Sequence, residues 1–355
     1  MSTGVASDLD TTRPPRARAA KKLAIVAGKL LVTAACFWYL SRQVDTGQVL
    51  SAVRVLDFRW AAFATVVVML EIPLVGLRWS AIVDELAARS KRITPTIMVA
   101  VTAIGMFFAQ VLPSVAGDGV RALLLARRGY DWRNAVISVV IDRGIGAALV
   151  IALGFVILLL PSSLTALGGY REVVLVVYGG LLLAGALGLL LAPQMDTLLG
   201  RWAYLRWLVT LAAAARRVLV GPRGAVILAL GCFIHALTIV VVWALGRAQG
   251  YMLPVTDAAV LFTVMMGVAL VPISISGWGL RELAVISLLG NHGIAPERAL
   301  LFSVCFGLVL AVGSLPGALI WLFYSFAPSS RAAQHGALPV TNRKTQPGQR
   351  TLPRG

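Results

Sequence analysis

Apolar residues along this chain come in long unbroken runs, and the polar residues gather in short stretches between them. A hydrocarbon layer of about 30 Å takes roughly 20 apolar residues of helix to cross. Six segments meet that requirement as simple spans: 23–41, 60–79, 135–160, 173–192, 224–246 and 299–324. Two more apolar regions, 96–126 and 257–289, are interrupted near their middles by proline and glycine. The stretch 198–220 is cut by Arg201, Arg206, Arg216 and Arg217 and carries Trp202, Tyr204 and Trp207. That mixture predicts a helix lying in the membrane interface rather than crossing it.

The two interruptions resemble one another 160 residues apart. Pro113, Ser114, Gly117, Asp118, Gly119 and Arg121 mark the first, and Pro272, Ser274, Ser276, Gly277, Trp278, Gly279 and Arg281 the second. Both share a Gly-x-Gly-apolar-Arg core. Proline, glycine and arginine are costly in hydrocarbon unless protein or a wet cavity surrounds them. Each region is therefore expected to be two half-helices with a break near 113–117 or 272–277, forming a hairpin that enters and leaves on one side.

The charge distribution favours that arrangement. With both hairpins re-entrant and the N-terminus inside, twenty-one basic residues fall on the cytoplasmic side, among them Arg89, Lys91, Arg127, Arg133 and Arg223. Six fall outside: Arg42, Arg54, Arg59, Arg171, Arg247 and Arg298. Letting either region cross once moves cytoplasmic clusters outside, against the positive-inside rule. The predicted fold is all-α and polytopic, with six simple spans plus two broken hairpins in an inverted 4+4 repeat whose halves are about 23–160 and 173–324. One membrane domain, 23–326, lies between basic tails, 1–22 and 327–355, expected to be disordered and cytoplasmic.

Hydrophobic residues make up 59% of the chain and charged residues 13%, with a mean hydropathy of +0.85. The net charge of +17 is accounted for by topology and by attraction to anionic lipid in the cytoplasmic leaflet, so nucleic acid is not an expected partner. Cys36, Cys232 and Cys305 lie within apolar runs, with neither a disulfide framework nor a metal-ligand spacing. The run ending Thr33-Ala34-Ala35-Cys36 continues through Phe37, Trp38 and Tyr39, which reads as a retained span rather than a lipoprotein signal. No cofactor, metal site or nucleophile–base set is predicted.

Five basic residues remain within membrane elements: Lys29, Arg78, Arg121, Arg143 and Arg281. Lys29 and Arg78 sit close enough to span ends to reach the interface along their stems. Arg121 and Arg281 follow the glycine breaks at helical spacing, sharing a face with Gly117 and Gly277. A guanidinium beside the free N–H groups of a half-helix suits a phosphate or carboxylate. Ser114, Ser274 and Ser276 would cap the half-helices or bond the same anion, and Gly117, Gly119, Gly277 and Gly279 would let backbone approach it. Glu71, mid-span before Pro73, and Asp118, Asp142, Arg143 and Glu282 are candidate charge partners or proton carriers. Pairing that only holds the hairpins in place is equally open.

At Pro113 to Arg121, Asp142–Arg143 and Pro272 to Glu282 the sequence resembles the lysylphosphatidylglycerol synthase transmembrane, or flippase-like, domain family, over roughly residues 23–326. The resemblance implies a bacterial inner-membrane protein that moves or modifies lipids. Bifunctional members carry a cytosolic aminoacyl-transferase domain after the last span, and about thirty polar residues stand there in this sequence. Translocation of an anionic phospholipid or lipid-linked head group is the resulting expectation. A membrane enzyme or accessory subunit acting on a lipid-linked substrate, and a small-anion carrier, are the alternatives.

Overall fold

Hydrocarbon leaves a backbone few choices besides helix, because each N–H and C=O must be paired within the segment. The computed structural model describes residues 54, 56–86, 93–111, 114–160, 171–199, 206–270 and 279–326, with backbone alone at 111, 114, 195–199, 270 and 324–326. The described residues form eleven helices and no strand. In chain order these are α1 (Phe58–Leu86), α2 (Pro95–Val111), α3 (Ser114–Arg127), α4 (Trp132–Leu159), α5 (Arg171–Leu199) and α6 (Arg206–Val220). They continue as α7 (Gly224–Ala248), α8 (Val255–Leu270), α9 (Leu280–Gly290), α10 (Pro296–Gly313) and α11 (Leu315–Phe326). Five stretches are long and apolar enough to cross a membrane: α1, α4, Arg171–Gln194 of α5, α7, and Pro296–Phe323 across α10 and α11. The predicted span 23–41 and both tails lie outside the described residues.

Several boundaries differ from the sequence expectation. The first interruption falls before Ser114, so Gly117 and Gly119 lie inside α3 rather than at the break. A proline at 113 disfavours the helical conformation for the residue before it, which accounts for a helix that starts afresh at Ser114. The run 299–324 is divided at Ser314, whose backbone N–H bonds Leu310 O and Ala311 O, and Pro316 opens the next helix. α5 continues past 192 to Leu199 with Pro193 inside it. α6 begins at Arg206 and buries only Val209 and Val218.

The packing order positions the site. α7 lies along α1 in the most extensive helix–helix contact of the described residues. α2 packs on α3, α1 and α11, and α3 on α4; α8 packs on α9, α7 and α4, and α9 on α10. Both interrupted regions are thus pairs of helices folded against each other. α2 is approached closely on three sides by glycine. A Cβ on Gly76 of α1 would come 2.6 Å from Val99 Cα, one on Gly117 of α3 2.8 Å from Ala109 N, and one on Gly317 of α11 would strike Ala103 backbone. Small residues allow this approach where water supplies no hydrophobic drive between helices.

Two buried clusters flank the region. Trp79, Met98, Ile104, Leu124 and Leu125 join α1, α2 and α3, while Phe262, Phe302, Phe306, Val241 and Leu245 join α7, α8 and α10. The apolar window of α5 is entirely unburied, with Val173, Val176, Leu183 and Leu190 all more than 60% exposed. So broad an apolar surface belongs against lipid.

Candidate functional site

Asp142 on α4 is the centre of the largest buried ionic group among the described residues. Its Oδ1 accepts from Arg78 Nε of α1 at 3.0 Å, and its Oδ2 accepts from Arg121 Nη2 of α3 at 2.8 Å. Arg121 also lies 3.6 Å from Asp118, and its guanidinium carbon sits 4.3 Å from the Trp79 ring centroid. That ring is fixed by Trp79 Nε1 donating to Ser138 Oγ at 3.2 Å, while Ser138 donates to Ala135 O. Arg78, Arg121 and Asp142 are all more than nine-tenths buried. Buried charges survive only when paired, and here one carboxylate serves two guanidinium groups. Arg78 Nη1 and Arg121 Nε have no hydrogen-bond partner among the described residues.

The group continues outward through Asp118, whose two oxygens accept from Arg143 Nε at 3.0 and 2.8 Å. The Arg143 side chain is 56% exposed. It stands eleven residues into α4, about 16 Å along the helix at 1.5 Å per residue, inside a helix long and apolar enough to cross a membrane. Gly119 and Gly144 beside it face open space. Among the described residues three guanidinium groups meet two carboxylates, an excess of one positive charge, and Arg143 is the outermost and most open of the three.

Local sequence explains how the parts meet. Gly129, at φ 82°, ends the α3 turn in the left-handed region, and Asp131 caps α4 by accepting from Asn134 N at 3.0 Å. That short connection brings Asp118 and Arg121 against Asp142 and Arg143. Gly105 on α2 provides the room for Arg121, because a Cβ there would fall 2.8 Å from Arg121 Cδ and closer still to its Cγ.

The second interruption is built differently. Arg281 and Glu282 are both buried. Arg281 Nη2 donates to Glu282 Oε1 at 2.9 Å and Arg281 Nε donates to Ser303 Oγ of α10 at 3.0 Å, while Ser303 Oγ donates to Glu282 Oε1 at 2.8 Å. Phe306 lies under the guanidinium, 5.6 Å from ring centroid to Cζ. Gly279, at φ 89°, precedes α9, and its N–H donates to Glu282 Oε2. A carboxylate of the chain itself therefore accepts from the free backbone donor at this helix start.

Glu71 lies apart from both groups. It is 6% exposed, and its Oε1 is 3.0 Å from Thr238 Oγ1 on α7. No ion-pair partner stands beside it among the described residues.

The structure thus joins Asp118, Arg121, Asp142 and Arg143, and separately Gly279, Arg281 and Glu282. Gly117 is buried against Gly105 and Ala109. Ser274, Ser276 and Gly277 lie outside the described residues, as does the side chain of Ser114. Arg78 corrects the sequence reading. It does not extend to the interface but turns inward to Asp142, because a carboxylate 64 positions away offers a buried pair. Trp79, Ser138, Thr238 and Ser303 were not singled out, since small hydroxyl residues and a tryptophan at a span end carry no distinguishing local signal.

A glycosyltransferase, AglD, of the archaeon Haloferax volcanii is 30% identical over 171 residues, which are 48% of this chain and 26% of that protein. The match therefore spans about a quarter of that relative's length. No solved structure matches. The family model described as the lysylphosphatidylglycerol synthase TM region matches residues 26–317, most of the multi-pass helical body and both hairpin groups, and the chain belongs to that family.

Proposed function

We propose that the chain is a lipid flippase that carries an anionic phospholipid, or a lipid-linked head group, across a bacterial inner membrane. The single observation that carries this reading is Arg143, an open guanidinium inside a helix of membrane-crossing length, attached to a buried group with an excess of one positive charge among the described residues. A phosphate would supply the missing negative charge. Arg143 would meet it first by exchanging Asp118 for a phosphate oxygen, and Arg121 would face it from behind. Charge-assisted, forked hydrogen bonds give such contacts both strength and direction. Gly119 and Gly144 leave space for the ester linkage beside them. Arg281 would be the corresponding group of the second hairpin, with Glu282 in the place a substrate anion would take.

The inverted 4+4 architecture belongs to the same proposal and is supported by the packing. The leading helix of each hairpin, α2 or α8, rests on the closing span of the other half, α11 or α4. The second helix of each, α3 or α9, rests on the closing span of its own half. Exchanging the halves reproduces the pattern, with α1 and α7 meeting at the exchange axis. Rocking of such halves around a central site gives alternating access. Both termini and the segments 80–95, 127–134 and 193–223 would be cytoplasmic.

The likeness to a glycosyltransferase favours one second reading, in which the membrane body delivers a lipid-linked substrate to a partner enzyme. Reconstitution decides between them. Vesicles containing the protein and a head-group-labelled phosphatidylglycerol should show label moving between leaflets, and Arg143→Ala should abolish the movement. Covalent change of the lipid without movement would sink the flippase reading.

A further inference from the structure

Thr238 presents a proton-counting problem. Its hydroxyl has one proton and two acceptors at 3.0 Å, the Ile234 carbonyl one turn back and Glu71 Oε1 across the interface. Threonine on a helix regularly gives its proton to the carbonyl four residues earlier. Glu71 must then bring a proton of its own to the contact, donating to Thr238 Oγ1. The surroundings agree, since a bare carboxylate in this place would be buried and unpaired.

The groups facing Glu71 can be named helix by helix. α7 offers Thr238 and, one turn earlier, His235, whose Nε2 is engaged with Gly146 O at 3.1 Å. α2 contains no charged residue. The charges of α10 are Glu297 and Arg298 at its far start. Those of α4 are Arg133 near its start, Asp142, bonded to Arg78 and Arg121, and Arg143, bonded to Asp118. The charges of α6 are Arg206, Arg216 and Arg217, and that helix meets α1 at its other end, where Val218 packs with Ile82; Arg78 itself is already paired.

Position adds a mechanical consequence. α1 belongs to the first half and α7 to the second, and this is the most extensive contact between them among the described residues. Two residues past Glu71, Pro73 removes a helix hydrogen bond within α1, which makes a bending point beside the carboxyl.

We infer that Glu71 is a proton-binding site that locks α1 to α7, and that loss of its proton parts the two helices. The proton is then the coupling ion. Protonated, Glu71 bridges the halves as a neutral group. Ionised, it must be hydrated, and only separation of α1 from α7 admits the water. Proton binding and the closed arrangement are therefore linked, each favouring the other. The coupling role rests on the transport reading; the lock itself does not.

Two measurements on the full chain in phospholipid vesicles test the lock without any transported lipid. Infrared difference spectra should contain the carbonyl band of a protonated carboxylic acid that is absent in Glu71→Gln and shifted in Thr238→Val. Spin labels at Phe58→Cys and Met252→Cys, with Cys36, Cys232 and Cys305 replaced, should show a longer-distance population that grows as pH rises. Glu71→Gln should hold the short distance at every pH. A wild-type spectrum without that band, or a label distance that ignores pH or changes equally in Glu71→Gln, overturns the inference. Leaflet movement of labelled phosphatidylglycerol should follow an imposed pH gradient in the wild type and lose that dependence in Glu71→Gln. Movement with equal gradient dependence in both overturns the coupling role, whereas a lock without movement of any lipid counts against the flippase reading alone.

Discussion

Replacing Asp142 by asparagine keeps the shape of the side chain and removes its charge. Asp142 is 1% exposed and holds two buried guanidinium groups at 3.0 and 2.8 Å. Breaking a buried pair by removing one partner costs about 3–5 kcal/mol, since the remaining charge is left uncompensated. Here two charges are stranded, but Arg121 retains Asp118 at 3.6 Å and the Trp79 face, so the loss should fall near 4 kcal/mol rather than twice that. In a helical body of this size such a loss lowers the melting midpoint by roughly 5–10 °C. Heating detergent-solubilised protein and counting the monodisperse fraction by size-exclusion chromatography measures it. Adding Arg78→Gln to Asp142→Asn removes one stranded charge and should restore part of the stability, with a coupling of about 1–3 kcal/mol. An Asp142→Asn protein as stable as the wild type, or a double variant whose losses simply add, would refute the picture of one carboxylate neutralising two arginines.

Arg143→Lys should retain a measurable fraction of lipid movement and Arg143→Ala none, while both melt near the wild type; equal activity of all three would show that the open guanidinium is not used. Gly117→Ala places a Cβ 2.5 Å from Gly105 O and should cost about 1–3 kcal/mol through overpacking, whereas Gly119→Ala meets open space and should leave the melting midpoint unchanged. Glu282→Gln should destabilise the second hairpin, read as faster proteolysis around 279–290, because Arg281 is left beside a neutral amide. In a background without Cys36, Cys232 and Cys305, a cysteine at Arg128 should react with membrane-impermeant maleimide only from the cytoplasmic side; labelling from outside would exclude a re-entrant first hairpin.

The helical body was legible because hydrocarbon imposes a length and a composition that survive in a single sequence. α1, α4, α5 and α7 all begin and end within several residues of their apolar runs, while α3 begins directly after Pro113 and α9 directly after Gly279. The ionic groups were legible only as an inventory. Arg78 and Asp142 are 64 positions apart and Glu71 and Thr238 167, and nothing local to any of them states the partner. Arg78 looked like an interface anchor because it stands next to the last residue of the predicted span 60–79, and distance along a helix says nothing about which face it occupies. Gly117 was expected to face a ligand and instead faces Gly105, since a glycine that admits a substrate and one that admits a neighbouring helix are written alike.

Arg143 also has a consequence for the bilayer. A guanidinium in the middle of a helix costs about 2.5–3.5 kcal/mol to insert by translocon measurements, and lipid relieves that cost by thinning and letting water reach the charge. With more than half of its side chain uncovered, Arg143 should draw head groups and water down one flank of the protein, beside α3 and α4. On the proposed transport reading, a lipid standing there would begin its crossing already partly submerged, over a locally shortened path. The deformation would arise from the protein's resting shape, before any helix moves.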